Sequence, residues 1–119
     1  MPDRYRKIAD LPSTIPVFPL DGAIVFPRGA LPLNIFEPRY LNMVDDAMCG
    51  GRLIGMVQTK GPKEDPARPR LAPVGCLGRI TAYSETSDGR YLITLSGVCR
   101  FRIAQELDTL TPYRQVLPD

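Results

Sequence analysis

The stretch Pro32-Leu33-Asn34-Ile35-Phe36-Glu37-Pro38-Arg39-Tyr40 joins an extended apolar run to a helix at a proline. Proline disfavours helical angles in the residue before it, so Glu37 is held extended. Pro38 suits the first helical position, where its missing N–H costs nothing. From there Tyr40, Leu41, Val44, Ala47 and Met48 fall on one helical face, with Met43 at its margin, while Asn42, Asp45 and Asp46 take the other. Gly50-Gly51 then supplies the stop, since glycine tolerates left-handed end geometry. The result is one amphipathic helix of about three turns.

Upstream, Thr14-Ile15-Pro16-Val17-Phe18-Pro19-Leu20 is apolar but carries two prolines. Proline donates no ladder bond, so this segment reads as an edge strand or one interrupted by a bulge. Residues 1–13 before it read as a flexible tail. Asp21-Gly22 signals a turn, Ala23-Ile24-Val25-Phe26 a second short strand, and Pro27-Arg28-Gly29 a break before extended structure resumes. Downstream, Leu53-Ile54-Gly55-Met56-Val57 has a buried-strand pattern. Thr59 to Pro73, rich in proline and mixed charge, reads as a long mobile loop.

Two strong strands follow. In the first, Cys76, Ile80 and Ala82 point one way and Arg79 and Thr81 the other. Asp88-Gly89 turns the chain into a hairpin. In the second, Tyr91, Ile93, Leu95, Cys99, Phe101 and Ile103 share one phase, and Thr94, Ser96, Arg100 and Arg102 the other. That run is too long for a straight strand. Gly97 lies inside it, so a bend or bulge is expected there, letting one strand serve two sides of a barrel. Tyr113-Arg114-Gln115-Val116-Leu117 reads as a final strand.

A chain of 119 residues makes one domain, and folding at this size buries roughly two-thirds of the unfolded surface. Fifteen basic and 13 acidic residues leave a net charge of +2, too balanced to argue for a polyanion partner. Three cysteines, Cys49, Cys76 and Cys99, are far apart and odd in number, which suggests buried thiols in a reducing compartment rather than disulfides. No apolar run reaches the ~18 residues of a membrane helix. Histidine is absent, which removes the commonest general base and every histidine-based triad. The cysteines lack metal-ligand spacing. Asp45 and Asp46 project about 100° apart on a helix and read as a solvated face, not a carboxylate dyad. The expectation is therefore no catalytic residue, no metal and no cofactor.

Ile15 to Leu20, Val25 to Gly29, Pro32 to Tyr40, Leu53 to Val57 and Val74 to Ile80 occur in that order, followed by Gly89 to Ile103. In this the chain resembles the amino-terminal substrate-binding domain of the ATP-dependent Lon proteases, over most of residues 13 to 117. It looks closer to bacterial free-standing versions that carry the domain without an ATPase or protease. The resemblance implies a mainly β, six-stranded PUA-like pseudobarrel, mostly antiparallel, with one short α-helix. The domain would span 14–119, without the helical subdomain into which the family often continues. It also implies a cytoplasmic, proteolysis-associated module that binds unfolded or tagged polypeptides and is not itself an enzyme, because the family's hydrolytic chemistry lies in other domains.

The expected binding region is an apolar groove or unsatisfied strand edge formed by Pro16, Phe18, Phe26, Pro27, Leu31 and Leu33. Phe36, Glu37, Pro38, Arg39, Tyr40 and Gly97 form a structural signature: Phe36 and Tyr40 pack the helix on the sheet, and Arg39 has a fixed carboxylate or carbonyl partner. A proline-marked edge strand also offers a route to self-association. The alternative function is a PUA-like RNA-binding module using Arg79, Arg90, Arg100 and Arg102, loop residues Lys60, Lys63, Arg68 and Arg70, and stacking by Tyr83 and Tyr91. The near-neutral charge weighs against nucleic acid.

Overall fold

The structure, a computed structural model, describes residues 12–20, 29–60 and 70–119. The tail up to residue 11, the turn and strand expected over 21–26, and the middle of the expected loop (61–69) lie outside the described residues. Six strands and one helix follow in order: β1 (Ile15–Leu20), β2 (Ala30–Ile35), α1 (Pro38–Cys49), β3 (Leu53–Gln58), β4 (Val74–Glu85), β5 (Tyr91–Glu106) and β6 (Arg114–Pro118). They form one sheet in the order β2-β5-β4-β3-β1-β6, and β6 pairs back onto β5. Five strands thus close a ring, and β2 attaches to the amino-terminal half of β5. Among the described strands only β1 and β3 run parallel. The mainly β, mostly antiparallel architecture with one helix is the one the sequence implied.

The long strand β5 divides its work at a bulge. Gly89 takes φ +83° in the preceding turn, and Thr86 N donates to Arg90 O at 2.8 Å to start the hairpin. Gly78 pairs with Gly97 but Leu77 with Cys99, so Val98 is an extra residue on β5. The odd-numbered phase continues through the bulge in sequence but changes face in space. Before it, Ile93 and Leu95 join Ile54, Met56, Cys76, Ile80 and the helix residues Tyr40, Met43, Val44 and Ala47. After it, Phe101 joins Ile15, Val17, Val57, Leu77 and Val116, a second core drawn from every strand of the ring. β3, whose four central residues are all buried, separates the two cores and supplies both.

The ring core leaves room for one aromatic only because two glycines stand opposite it. A Cβ on Gly55 would lie 2.8 Å from Phe101 Cζ and 2.7 Å from Ile15 Cγ2. One on Gly75 would lie 2.7 Å from Val57 Cγ2 and 3.1 Å from Phe101 Cε1.

The prolines of β1 do not mark an edge, contrary to expectation, because the strand has neighbours on both sides. Thr59 N donates to Leu20 O at 3.0 Å, which aims the backbone groups of Leu20, Phe18 and Pro16 at β3. Those of Ile15, Val17 and Pro19 then face β6. The β6 register ends at Val17↔Arg114 and the β3 register begins at Val17↔Gly55. Each proline therefore sits just beyond the ladder toward which its missing N–H points, and neither interrupts a bond.

A second bulge falls at Thr81, between Ile80↔Leu95 and Ala82↔Thr94. It puts Ala82 on the face opposite Ile80, where it is exposed; the continuous alternation expected through Ala82 is thereby corrected.

Helix α1 begins as expected, with Glu37 extended (φ −75°, ψ 133°) and Pro38 in the first turn. Met43, placed at the margin by sequence, is central, at 1% exposed, while Leu41 and Met48 are half-buried. The stop also differs. Gly50 has φ −118°, and the left-handed residue is Arg52, at φ 61°. Arg52 N donates to Ala47 O and its carbonyl accepts from Ile80 N at 2.8 Å, so the sheet holds the strained residue in place. Asp45 and Asp46 are exposed but not merely solvated. The Tyr91 hydroxyl donates to Asp45 Oδ1 at 2.8 Å and the Tyr113 hydroxyl to Asp46 Oδ2 at 2.6 Å. Adjacent carboxylates 100° apart thus fasten the helix to two separate parts of the chain.

Two outcomes follow. Gly55→Ala should lower the free energy of unfolding in urea by about 1–3 kcal/mol, with partial recovery on adding Phe101→Leu, because overpacking and not glycine entropy sets the sign. Burial, and then the bond to Asp46, push the Tyr113 hydroxyl up to about 12. The folded state favours the neutral phenol, so its contribution is complete below about pH 10, where an unfolded tyrosine ionises, and is lost as pH rises through about 12. Urea unfolding at stepped alkaline pH should show a shallower decline for Tyr113→Phe than for the parent chain.

Candidate functional site

Among the described residues the free edge of the sheet is β2, and one hydrogen bond sets its polarity. Gly97 N donates to Gly29 O at 2.7 Å, in line with the register Ala30↔Ser96. Backbone groups in an antiparallel strand alternate between its two sides. Leu31, Leu33 and Ile35 therefore bond to β5, while Ala30, Pro32 and Asn34 turn theirs outward. Pro32 thus costs the sheet nothing. Among the described residues β2 has no partner on its outer side. That side offers carbonyls at Ala30, Pro32 and Asn34 and N–H groups at Ala30 and Asn34.

Beside this edge, the outer face of β2-β5-β4 carries an open groove of about 530 Å³. The outward side chains along it are Pro32 and Asn34 from β2, Leu92 and Thr94 from β5, and Ala82 and Ser84 from β4. The register aligns them in two rows, Pro32–Thr94–Ala82 and Asn34–Leu92–Ser84. Small residues from β4 leave the depression, and Leu92, 44% exposed, is its largest apolar side chain. An apolar surface beside unpaired backbone groups can take an extended chain.

The sequence-derived binding residues separate into two groups. Leu31 and Leu33 lie half-buried on β2, and Leu33 also lines the groove. Pro16 and Phe18 lie half-buried on β1, which is not a neighbour of β2. The Phe18 ring meets Tyr40 edge-on at 4.7 Å, so it packs beneath the helix. Phe26 and Pro27 lie outside the described residues. Sequence reasoning missed Leu92 and Ala82. An apolar Leu92 in the same phase as Thr94 and Ser96 was the available signal; Ala82 was hidden by the bulge at Thr81.

In the signature, Tyr40 is 7% exposed but Phe36 is 63% exposed, so Phe36 does not pack the helix as expected. The partner of Arg39 is Glu37, at 3.2 Å, with both side chains nearly half exposed, and its guanidinium lies 4.7 Å from the Tyr40 ring centroid. Gly97 is buried at the join of β2 and β5. Tyr40→Ala should cost about 3 kcal/mol or more in thermal or urea unfolding, whereas Phe36→Ala should stay within about 0.5 kcal/mol.

A second opening, of about 340 Å³, lies between residues 70–73 and the ends of β5 and β6. Beneath it Arg114 grips Glu106 through two bonds of 2.8 and 2.6 Å, a fork geometry that fixes both side chains.

The remaining chemistry is sparse. Among the described residues no group of three His, Cys, Asp or Glu side chains is placed to hold a metal ion. Burial pushes the Cys76 thiol up to about 11, and that of Cys99 also up, which suppresses the nucleophilic thiolate. No helix among the described residues is long and apolar enough to cross a membrane. Arg100 and Arg102 of the RNA alternative lie apart from its aromatics. Tyr83 and Tyr91 pack on each other at 5.2 Å on one end of β5, while Arg100 and Arg102 lie beyond the bulge. Arg90 pairs with Asp88 at 3.1 Å. Lys63 and Arg68 lie outside the described residues.

Comparison with known proteins bears on this arrangement. Residues 14–117 match the family described as the ATP-dependent protease La (LON) substrate-binding domain. The chain is 32% identical over 108 residues to a Lon protease of Dictyoglomus thermophilum, covering 91% of this chain and 14% of that protein. It is 31% identical over 111 residues to Lon protease 2 of Myxococcus xanthus, covering 92% and 13%. It therefore spans only a small part of these curated relatives. Among solved structures it is similar to a Lon N-terminal domain protein from Xanthomonas campestris, with TM-score 0.72 and 25% identity over 89% of this chain and 58% of that one. It shares its fold with the N-terminal domain of a Mycobacterium avium complex Lon protease, with TM-score 0.65 and 15% identity over 89% and 53%.

Proposed function

The chain belongs to the family of Lon substrate-binding domains, and from that premise we propose that it is a non-catalytic module that binds unfolded or tagged polypeptides. The observation that carries the reading is the groove of Pro32, Leu92 and Ala82 lying beside the free edge of β2. The surface suits loose chains in general because backbone groups and a shallow apolar face recognise extension and greasiness, not a particular sequence. The absence of histidine and the upward shift of the buried Cys76 and half-buried Cys99 thiols support a role without bond cleavage. Free cysteines fit a cytoplasmic working place.

Affinity at one such site is micromolar or weaker, since ordering a flexible segment offsets much of the contact energy. Repeated engagement along a chain, or several modules together, raises it by avidity. Titrating the labelled protein with a reduced, carboxymethylated protein tests the reading by backbone NMR. Shifts at Ala30 to Asn34, Ala82 to Ser84 and Leu92 to Thr94 are expected. No shift at those positions at millimolar ligand would contradict it.

A further inference from the structure

We infer that the polypeptide docks as an added strand along the outer edge of β2, and that Pro32 selects a foreign, proline-free chain over a second copy of this one; the inference rests on the polypeptide-binding reading above. Ala30, Pro32 and Asn34 turn their backbone groups away from β5, as the Gly97 N to Gly29 O bond and the β2–β5 register require. Three carbonyls and two N–H groups thus repeat at every second residue, the spacing that only an extended main chain matches. A docked chain finds a partner for every group it offers except one carbonyl opposite Pro32. Its alternate side chains fall toward the outer groove near Pro32 and Leu92, or toward half-buried Leu31 and Leu33 on the inner face.

The same inventory disfavours self-pairing. Two copies of β2 related by a two-fold axis through Pro32 set proline against proline. Each proline carbonyl then faces the other's ring nitrogen, which carries no hydrogen, and only the Ala30–Asn34 pairs remain. Sliding the register brings fewer bonds into range, because the strand ends at Ile35. Proline at an exposed edge is a known guard against such association. Here it removes two bonds from a homodimer and one from a complex with a foreign chain.

The phase also supplies variants that keep the fold. Ala30 and Asn34 share the outward phase of the native Pro32, so Ala30→Pro and Asn34→Pro delete docking donors and spare the β5 ladder. The test measures binding of a short proline-free peptide of alternating valine and threonine with lysine at each end. The same peptide N-methylated on every second residue, in either phase, is measured on the unaltered protein. A reduced, carboxymethylated protein is titrated alongside. Methylation in one phase should weaken binding at least fivefold and in the other leave it unchanged. Each proline variant should weaken it about fivefold. Equal tolerance of both methylated peptides, with the carboxymethylated protein still bound, would overturn strand addition and leave the binding-module reading intact. No binding of either ligand would overturn both. A homodimer in sedimentation that dissociates in Ala30→Pro would overturn the selection against a second copy.

Discussion

The extra residue Val98 on β5 is the constraint on which the rest of the molecule depends. It turns one unbroken hydrophobic phase into two, so that a single strand lines the helix-covered core with Ile93 and Leu95 and the ring core with Phe101. Without the slip, Cys99, Phe101 and Ile103 would project on the same side as Leu95, and the ring would have no aromatic to fill it. The bend also lets the two halves of β5 take different neighbours, β2 on one and β6 on the other. Closure of the ring and exposure of the β2 edge are two results of the same irregularity.

Closure removes most of the edges a small sheet would otherwise present. Among the described residues, what is left is concentrated on β2, beside an outer face from which large side chains are missing at Ala82 and Ser84. The helix contributes by covering the inner face, held by Tyr91 to Asp45 and Tyr113 to Asp46 and by the Tyr40 contact with Phe18. One face of the β2-β5-β4 region is therefore committed to the core and the other is open to a partner. That division leaves an open outer face beside the β2 edge among the described residues.

Much of the fold was legible because its signals are local. Pro38 after an extended Glu37 and a 3.6-residue apolar period specify α1 within a few residues of sequence. Asp88-Gly89 and the odd phase of β5 specify the hairpin, and Gly97 marked where the strand had to break. The misreadings concern relations between distant segments. Pro16 and Pro19 imply an edge only if the neighbours cover the whole strand; here β3 and β6 each stop short, in opposite phases. The bulge at Thr81 has no glycine or proline to announce it, so Ala82 and the groove it helps form were invisible. Gly50-Gly51 suggested the left-handed stop, yet Arg52 takes it, because its carbonyl is drawn to Ile80 on β4. Of the candidate binding residues, Leu31 and Leu33 lie together on β2, as an apolar run beside a proline suggests. Phe18 was assigned to the same surface because adjacency in sequence stood in for adjacency in the sheet.

Amide hydrogen exchange, read residue by residue with and without a reduced, carboxymethylated protein, is the most direct measurement of the account. In the free protein the amides of Leu31, Leu33 and Ile35, which bond to β5, should exchange slowly, and those of Ala30 and Asn34 quickly. With the polypeptide present, Ala30 and Asn34 should slow while the β5-bonded amides stay as they were. Slow exchange at Ala30 and Asn34 in the free protein, or no change at either on binding, would contradict a free β2 edge that receives the chain.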